Sequence, residues 1–375
     1  MSMLLFSGRC AAVVATMAGL GSHLAAQPVG DGDRGVVVGA QLRQYRIGPE
    51  LDRVTVRQLS VPFGLGWSRG RWDFDFGGAW VQSRLEREGV GRSVGSLTDT
   101  QVRGSYTFGP DLLVASVAVN LPSGLSRAPA ADFPVLGAIS SSFLAFPIAT
   151  HGSGFSTTTG LALAVPAGLW NVGIGGSVRW SGRYTPYVDG STDFDYQPGI
   201  EGRVRVGADR IVGRSRITAG VTFSTFGTDE FGTGTIVAGL YRPGARWTVE
   251  ANLVAPVGRQ GALAIYGWHY LRSEGDSVDT TVPNRERITA AGFSFTRPLM
   301  GGLDFTLAAD GRIGKVGEAP GKLVGAEIGL GIALGQRFTF LPSVRYDVGS
   351  LDPPIAGLEL PVRGLEASVF LRSRF

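Results

Sequence analysis

The fold is decided by GLEASVFLRSRF, residues 364–375. Taken alternately, Leu365, Ala367, Val369, Leu371 and Phe375 are apolar, while Glu366, Ser368, Arg372 and Arg374 fall in the other phase. Successive side chains of a strand point to opposite faces, so this spacing predicts a strand with one apolar and one polar face. Ser373 breaks the alternation near its end. In a soluble sheet the apolar face would turn into a core, and any half-buried edge strand can carry such a pattern. The rest of the chain decides between a core and a membrane.

Alternation of the same kind recurs from residue 35 onward, separated by Gly-rich turns, and such segments in series are the sign of a membrane barrel. The spacing predicts strands at 35–47, 53–67, 72–80, 97–108, 112–121, 155–165, 169–181, 199–209, 214–226, 246–256, 260–273, 286–298, 302–314, 322–335, 336–349 and 363–375. Counting 233–242 as a further strand would leave an odd number, whereas bacterial single-chain barrels have an even one, so 227–245 reads as a long loop with a small hairpin. The expectation is all-β: one antiparallel transmembrane β-barrel domain over 27–375, of about 16 strands, with 14 as the alternative. A propeller would also suit many even strands, but no blade-length repeat is present.

Two details favour the membrane. Asp73 and Asp75 alternate with Trp72, Phe74 and Phe76. In a sandwich those carboxylates would need buried partners; facing a watery lumen they need none. Trp67, Trp72 and Trp170 fall near tight turns, and Trp80, Trp180, Trp247 and Trp268 toward the opposite strand ends. Sorting of this kind is expected of two aromatic girdles at headgroup level.

Residues 1–26 have the order of a secretory signal peptide: Arg9, the apolar run AAVVATMAGL at 11–20, then small residues ending at Ala26. The run is too short to span a bilayer, which takes about 20 residues. Cys10 is the one cysteine, so 27–375 offers neither a disulfide nor a thiolate metal site, and no metal or cofactor is expected. The formal charge of +4 is spread among acids, with no stripe suited to nucleic acid.

The terminal Phe375, with apolar residues at alternate positions before it, resembles the closing strand of outer-membrane β-barrels, where it serves as the assembly signal. That resemblance implies a bacterial outer-membrane location, a lipid surround and recognition by barrel-assembly machinery. VAVNLPSG (117–124), HGSGF (151–155) and YQPGIEGRVRVGADR (196–210) resemble outer-membrane transport channels of the phenol-degradation MetA-pathway type. More distantly, they are similar to the long-chain fatty-acid transporters of the FadL type. This resemblance implies passive uptake of small hydrophobic or aromatic solutes. The fatty-acid transporters' N-terminal plug and Asn-Pro-Ala motif have no counterpart here.

Alternation directs Asp73, Asp75, Arg103, Arg179, Glu201, Arg203, Arg205, Asp310, Arg312, Glu327, Arg345, Asp347 and Arg372 into the lumen, together with Glu250, Asp304 and Glu366. Such mixed signs suit either a network that fills the lumen or a transverse field that selects polar or amphipathic solutes. The longest aperiodic stretch, 122–154, carries Phe133, Phe143, Leu144 and Phe146 and is expected on the side of the long loops, folded into the mouth.

Two other function classes stay open. A barrel hydrolase would need a histidine base beside Ser or Asp, and 27–375 has only His151, near Ser153, and His269, between Trp268 and Tyr270. A structural or adhesive barrel would bind a partner through the loops 122–154, 182–198 and 274–285. The acids Glu274, Asp276 and Asp279 do not form a recognised calcium loop. The sequence leaves the oligomeric state open.

Overall fold

The computed structural model describes residues 34–375 apart from 110–111, 191, 234–235, 278–284, 317–318 and 353–358. The expected signal peptide at 1–26 and Asp279 lie outside the described residues.

The chain forms a closed antiparallel barrel of sixteen strands. In order they are β1 (Arg34–Ile47), β2 (Val54–Arg69), β3 (Trp72–Arg87), β4 (Val90–Leu97 and Thr100–Phe108), β5 (Leu113–Leu121), β6 (Ser156–Ala167), β7 (Trp170–Ser181) and β8 (Glu201–Val212). There follow β9 (Ser215–Phe226), β10 (Arg246–Val257), β11 (Gly261–Arg272), β12 (Glu286–Pro298), β13 (Leu303–Val316), β14 (Ala319–Leu334), β15 (Phe338–Leu351) and β16 (Leu360–Arg374). Each pairs with its neighbours in sequence, and β1 closes the ring by pairing with β16 from Gly35↔Arg374 to Ile47↔Val362.

All seven connections at one end are tight, and each contains a glycine at positive φ: Gly70, Gly109, Gly168, Gly213, Gly258, Gly301 with Gly302, and Gly335. An L side chain is strained at such a φ, so glycine is what allows such short turns. The long connections lie at the other end.

On β16 the apolar phase faces out: Leu365 is 51% exposed while its neighbour Glu366 is 8% exposed. The same inversion of a soluble sheet runs round the barrel. On β7, Trp170, Ile174, Val178 and Trp180 are all exposed. From Trp170 to Trp180 is ten residues, which at about 3.3 Å each and a tilt of about 40° rises about 25 Å, the height of a membrane barrel's apolar band. Trp67, Phe74, Trp72, Tyr106 and Phe108 form a chain of ring contacts at the tight-turn end.

Three expectations need correction. The hairpin of β3 and β4 reaches Arg87 and Val90, well past residues 80 and 97, around the positive-φ pair Glu88–Gly89. Residues 182–197 are not an irregular loop; together with the hairpin expected in 227–245 they build a second sheet of six short strands. Its strands are Ala128–Pro129, Tyr184–Asp189, Thr192–Gln197, Asp229–Thr233, Ile236–Arg242 and Asp276–Ser277, and Tyr187 on Phe194 (4.2 Å) and Tyr196 on Phe231 (4.8 Å) stack across it. Finally, Trp268 belongs to no girdle. It shares the inward phase with Tyr270 and packs on the apolar cluster inside the barrel.

Candidate functional site

That cluster is the most unusual feature of the interior, because it is made by a loop. Residues 122–154 fold into the lumen, carrying a short helix α1 (Phe133–Ile139), and bury Ile139, Phe143, Leu144 and Phe146 against Tyr45, Val56, Ile288, Leu323 and Val362 from the wall. The wall is shaped to receive them. Gly314 and Gly321 face each other across β13 and β14, and a Cβ on Gly321 would stand 2.8 Å from the Phe143 ring. Tyr45 occupies a similar dent over Gly364 and meets Phe146 edge to face at 5.4 Å.

Polar groups of the wall then hold the loop's backbone, which a lumen lined only by apolar residues would leave unsatisfied. Arg312 donates to the Phe143 carbonyl at 3.0 Å, and Arg43 donates to that of Ala145, a residue at φ 50°. The Gln58 amide grips Ile148 twice, donating to its carbonyl (2.7 Å) and accepting from its N–H (2.9 Å).

Both ends of the loop are tied as well. Asp99 lies where β4 breaks between Leu97 and Thr100. It accepts from the Gly124 N–H (3.1 Å), the Ser153 N–H (2.6 Å) and the Ser153 hydroxyl (3.1 Å). Arg92 pairs with Asp132 at 2.5 Å just before α1. His151 is 2% exposed, with Nε2 3.0 Å from Ser83 Oγ and Nδ1 3.0 Å from Ser96 Oγ. Burial away from any charge pushes its pKa down to about 4, so the ring is neutral, giving one hydrogen bond and accepting the other.

The charged residues expected in the lumen are distributed as follows. Asp310 and Arg312 of β13 and Arg345 and Asp347 of β15 come together across β14: Arg345 is 2.5 Å from Asp310 and 2.8 Å from Asp347, and Arg312 is 3.8 Å from Asp310. Gly325, between them on β14, leaves the room, since a Cβ there would overlap both Arg345 and Asp347. Tyr45 donates to Asp347 at 3.2 Å. Glu327 is half-buried opposite Arg345 in register.

Elsewhere Asp75 binds Arg103 (2.6 Å), Glu201 binds Arg203 (2.7 Å), Arg205 pairs with Glu250, and Arg179 donates to Ser156 (3.2 Å). Asp73 accepts from Ser68 (2.5 Å) near the tight-turn end, and Arg372 is half-buried opposite Thr339. Asp304 is exposed at the rim. Phe375 donates its N–H to the Arg34 carbonyl at 2.9 Å, at the seam of the barrel.

Gln41, Arg43, Tyr45, Gln58 and Asp99 were not singled out in the sequence. The first three lie in one phase of β1, opposite Ala40 and Leu42, and that was the available signal. Gln58 and Asp99 matter only because a loop far away in sequence reaches them.

No family model and no curated protein matches this chain. Among solved structures, Pseudomonas putida OprB at high pH is similar with a TM-score of 0.48 and 11% identity, over 92% of this chain and 94% of that one. A TodX monoaromatic hydrocarbon channel deltaS2S3 mutant gives 0.46 and 11%, over 93% and 91%. The CymD monoaromatic hydrocarbon channel gives 0.42 and 8%, over 91% and 88%. At such scores and identities no residue role passes from them to this chain.

Proposed function

We propose that this chain is a passive channel of the bacterial outer membrane for small solutes, with its lumen narrowed by the loop 122–154. The observation that carries this reading is a barrel apolar outside and charged inside whose longest loop is docked within it. An apolar outer band has no use in water, and a charged inner wall has none in a filled core. The loop brings Phe143, Leu144 and Phe146 beside the ion pairs of Asp310, Arg345 and Asp347. Those groups are buried and set the bore, so a passing solute meets the partly exposed ion pairs Asp75–Arg103 and Arg205–Glu250 of the wall, which favours small polar or amphipathic molecules.

The hydrolase alternative has one feature in its favour, a histidine within reach of two serines. The geometry speaks against it. Ser83 and His151 are both fully buried under the loop, no carboxylate orients the ring, and a substrate carbonyl has no path to Ser83. The test is to reconstitute residues 27–375 in a planar bilayer and record conductance, then to repeat it with Arg43→Ala/Arg312→Ala, which releases two loop carbonyls. Steps that grow larger or noisier in the double variant are expected. A folded, inserted barrel that never conducts, with or without the tethers, would overturn the channel reading.

A further inference from the structure

The two ends of the barrel treat arginine differently. At the long-loop end exposed arginines such as Arg46, Arg53, Arg287 and Arg363 are interleaved with exposed acids, among them Glu50, Glu88, Asp189 and Glu274, and several basic residues are paired: Arg87 with Asp52 (3.1 Å), Arg127 with Asp193 (2.5 Å), Arg183 with Glu230 (3.3 Å) and Lys322 with Glu359 (3.1 Å). At the tight-turn end, Arg71, Arg214, Arg259 and Arg337 sit in four of the seven turns, and Arg297 one residue before Pro298 closes β12. Arg34, Arg69 and Arg374 join them from strand ends. All eight are exposed, and among the described residues none forms an ion pair.

Acids do not balance this end. Of its described aspartates, Asp209 is buried and paired with Arg216 at 3.2 Å, and Asp73 takes the Ser68 hydroxyl; only Asp304 is exposed. The arginines also sit at the edge of the apolar band. Arg71 precedes Trp72, Arg337 precedes Phe338, Arg374 precedes Phe375 and Arg297 is followed closely by Leu299 and Met300, all exposed apolar residues. Arg210 lies over the Trp170 ring at 5.6 Å, which fixes one guanidinium at the level of the girdle.

Resting on the membrane reading above, we infer that this rim binds the phosphate groups of anionic phospholipids in the leaflet it faces. Guanidinium forks match phosphate oxygens bidentately and lose little hydration in doing so. A guanidinium beside an aromatic girdle stands at headgroup depth. The distribution selects the occupant. The arginines lie on the β2–β3, β8–β9, β10–β11, β12–β13 and β14–β15 turns and at the β16–β1 seam, so they go round the barrel. A protein partner or an acidic polymer would meet one side; a lipid annulus meets all of them.

The experiment reconstitutes residues 27–375 in nanodiscs of phosphatidylcholine with a minority of phosphatidylglycerol and counts the lipids retained after mild detergent extraction by native mass spectrometry. Protease protection is measured on the same samples. Wild type should retain phosphatidylglycerol above its share in the disc by at least about fivefold, the factor that one surface arginine contributes near an anionic membrane. Arg71→Gln/Arg214→Gln/Arg259→Gln/Arg337→Gln should lose that enrichment. The matched set Arg84→Gln/Arg87→Gln/Arg127→Gln/Arg183→Gln, at the other end, should keep it.

Equal enrichment in the two variants, or none in an inserted wild type, overturns the inference and leaves the membrane reading standing. A wild type that fails to insert overturns both. Loss of cosedimentation with isolated cell wall, with lipid retention unchanged, would assign the rim to an anionic polymer and also overturn the inference.

Discussion

Two sets of long connections leave the same end of this barrel and finish in opposite places. The loop 122–154 goes inward and buries its aromatic side chains against the wall; the segments 184–197 and 229–242 pair with one another into a small sheet of their own. The difference lies in what satisfies the backbone. The outer segments find partners in each other's N–H and C=O groups, so their tyrosines are left to stack across the sheet. The inner loop has almost no ladder, and its carbonyls are taken by Arg43, Gln58 and Arg312. An aperiodic loop can enter a lumen only where the wall supplies such donors.

The largest effect should come from removing one partner in this contrast. Replacing residues 127–149 by a short Gly/Ser linker should raise single-channel conductance several-fold, whereas trimming the tip of the 184–197 hairpin should leave it nearly unchanged. Similar effects from both would mean that the two regions narrow the passage equally.

Next in size is Phe143→Ala, which empties the dent over Gly314 and Gly321. The lost burial and residual cavity should cost the docked loop about 3 kcal/mol. Hydrogen exchange of 133–148 is the readout: the segment should exchange much faster while the barrel strands stay protected.

A third test uses pH. His151 in the docked loop has a pKa lowered to about 4, against an ordinary value of 6.5 when released. Between those values the released loop binds a proton that the docked one excludes, so docking weakens as pH falls from about 6.5 to about 4 and is fully stable above that window. Proteolysis at Arg127 should rise over this range in wild type and lose that component in His151→Gln. The outer sheet holds no histidine.

The smallest effect belongs to the outer sheet. The Tyr196 hydroxyl donates to Asp229 at 2.6 Å, and burial with that bond holds the phenol protonated well above its usual range. Tyr196→Phe should cost about 1 kcal/mol, seen as faster exchange in 192–197 and 229–233 with conductance unchanged.

The barrel was legible because its pattern is local. Alternation needs only neighbouring residues, and parity settled what single segments could not, as with the hairpin inside 227–245. The interior was legible in part. Asp310, Arg345 and Asp347 could be placed on the inner face by counting in twos, but their meeting depends on Gly325, whose importance is visible only when three strands are side by side. The outer extent of β3 and β4 was missed because Gln82, Arg84 and Glu86 stand in the outward phase there, which is polar above the apolar band. Trp268 was misassigned for the opposite reason: a large aromatic near a strand end looks like a girdle residue until its phase is fixed by Tyr270.

The seam between β1 and β16 sets an order of events. Those strands are the pair most distant in sequence, and such contacts form late because the intervening chain must first be brought round. The docked loop takes hold of Arg43 on β1, Gln58 on β2 and Arg312 on β13 and rests on Val362 of β16, so its seat straddles the seam. The seat does not exist until the ring is shut. A barrel halted before closure is therefore both unsealed at its edges and unobstructed through its middle, and the packing of Phe146 on Tyr45, itself seated over Gly364 of β16, is the molecule's own sign that assembly is complete.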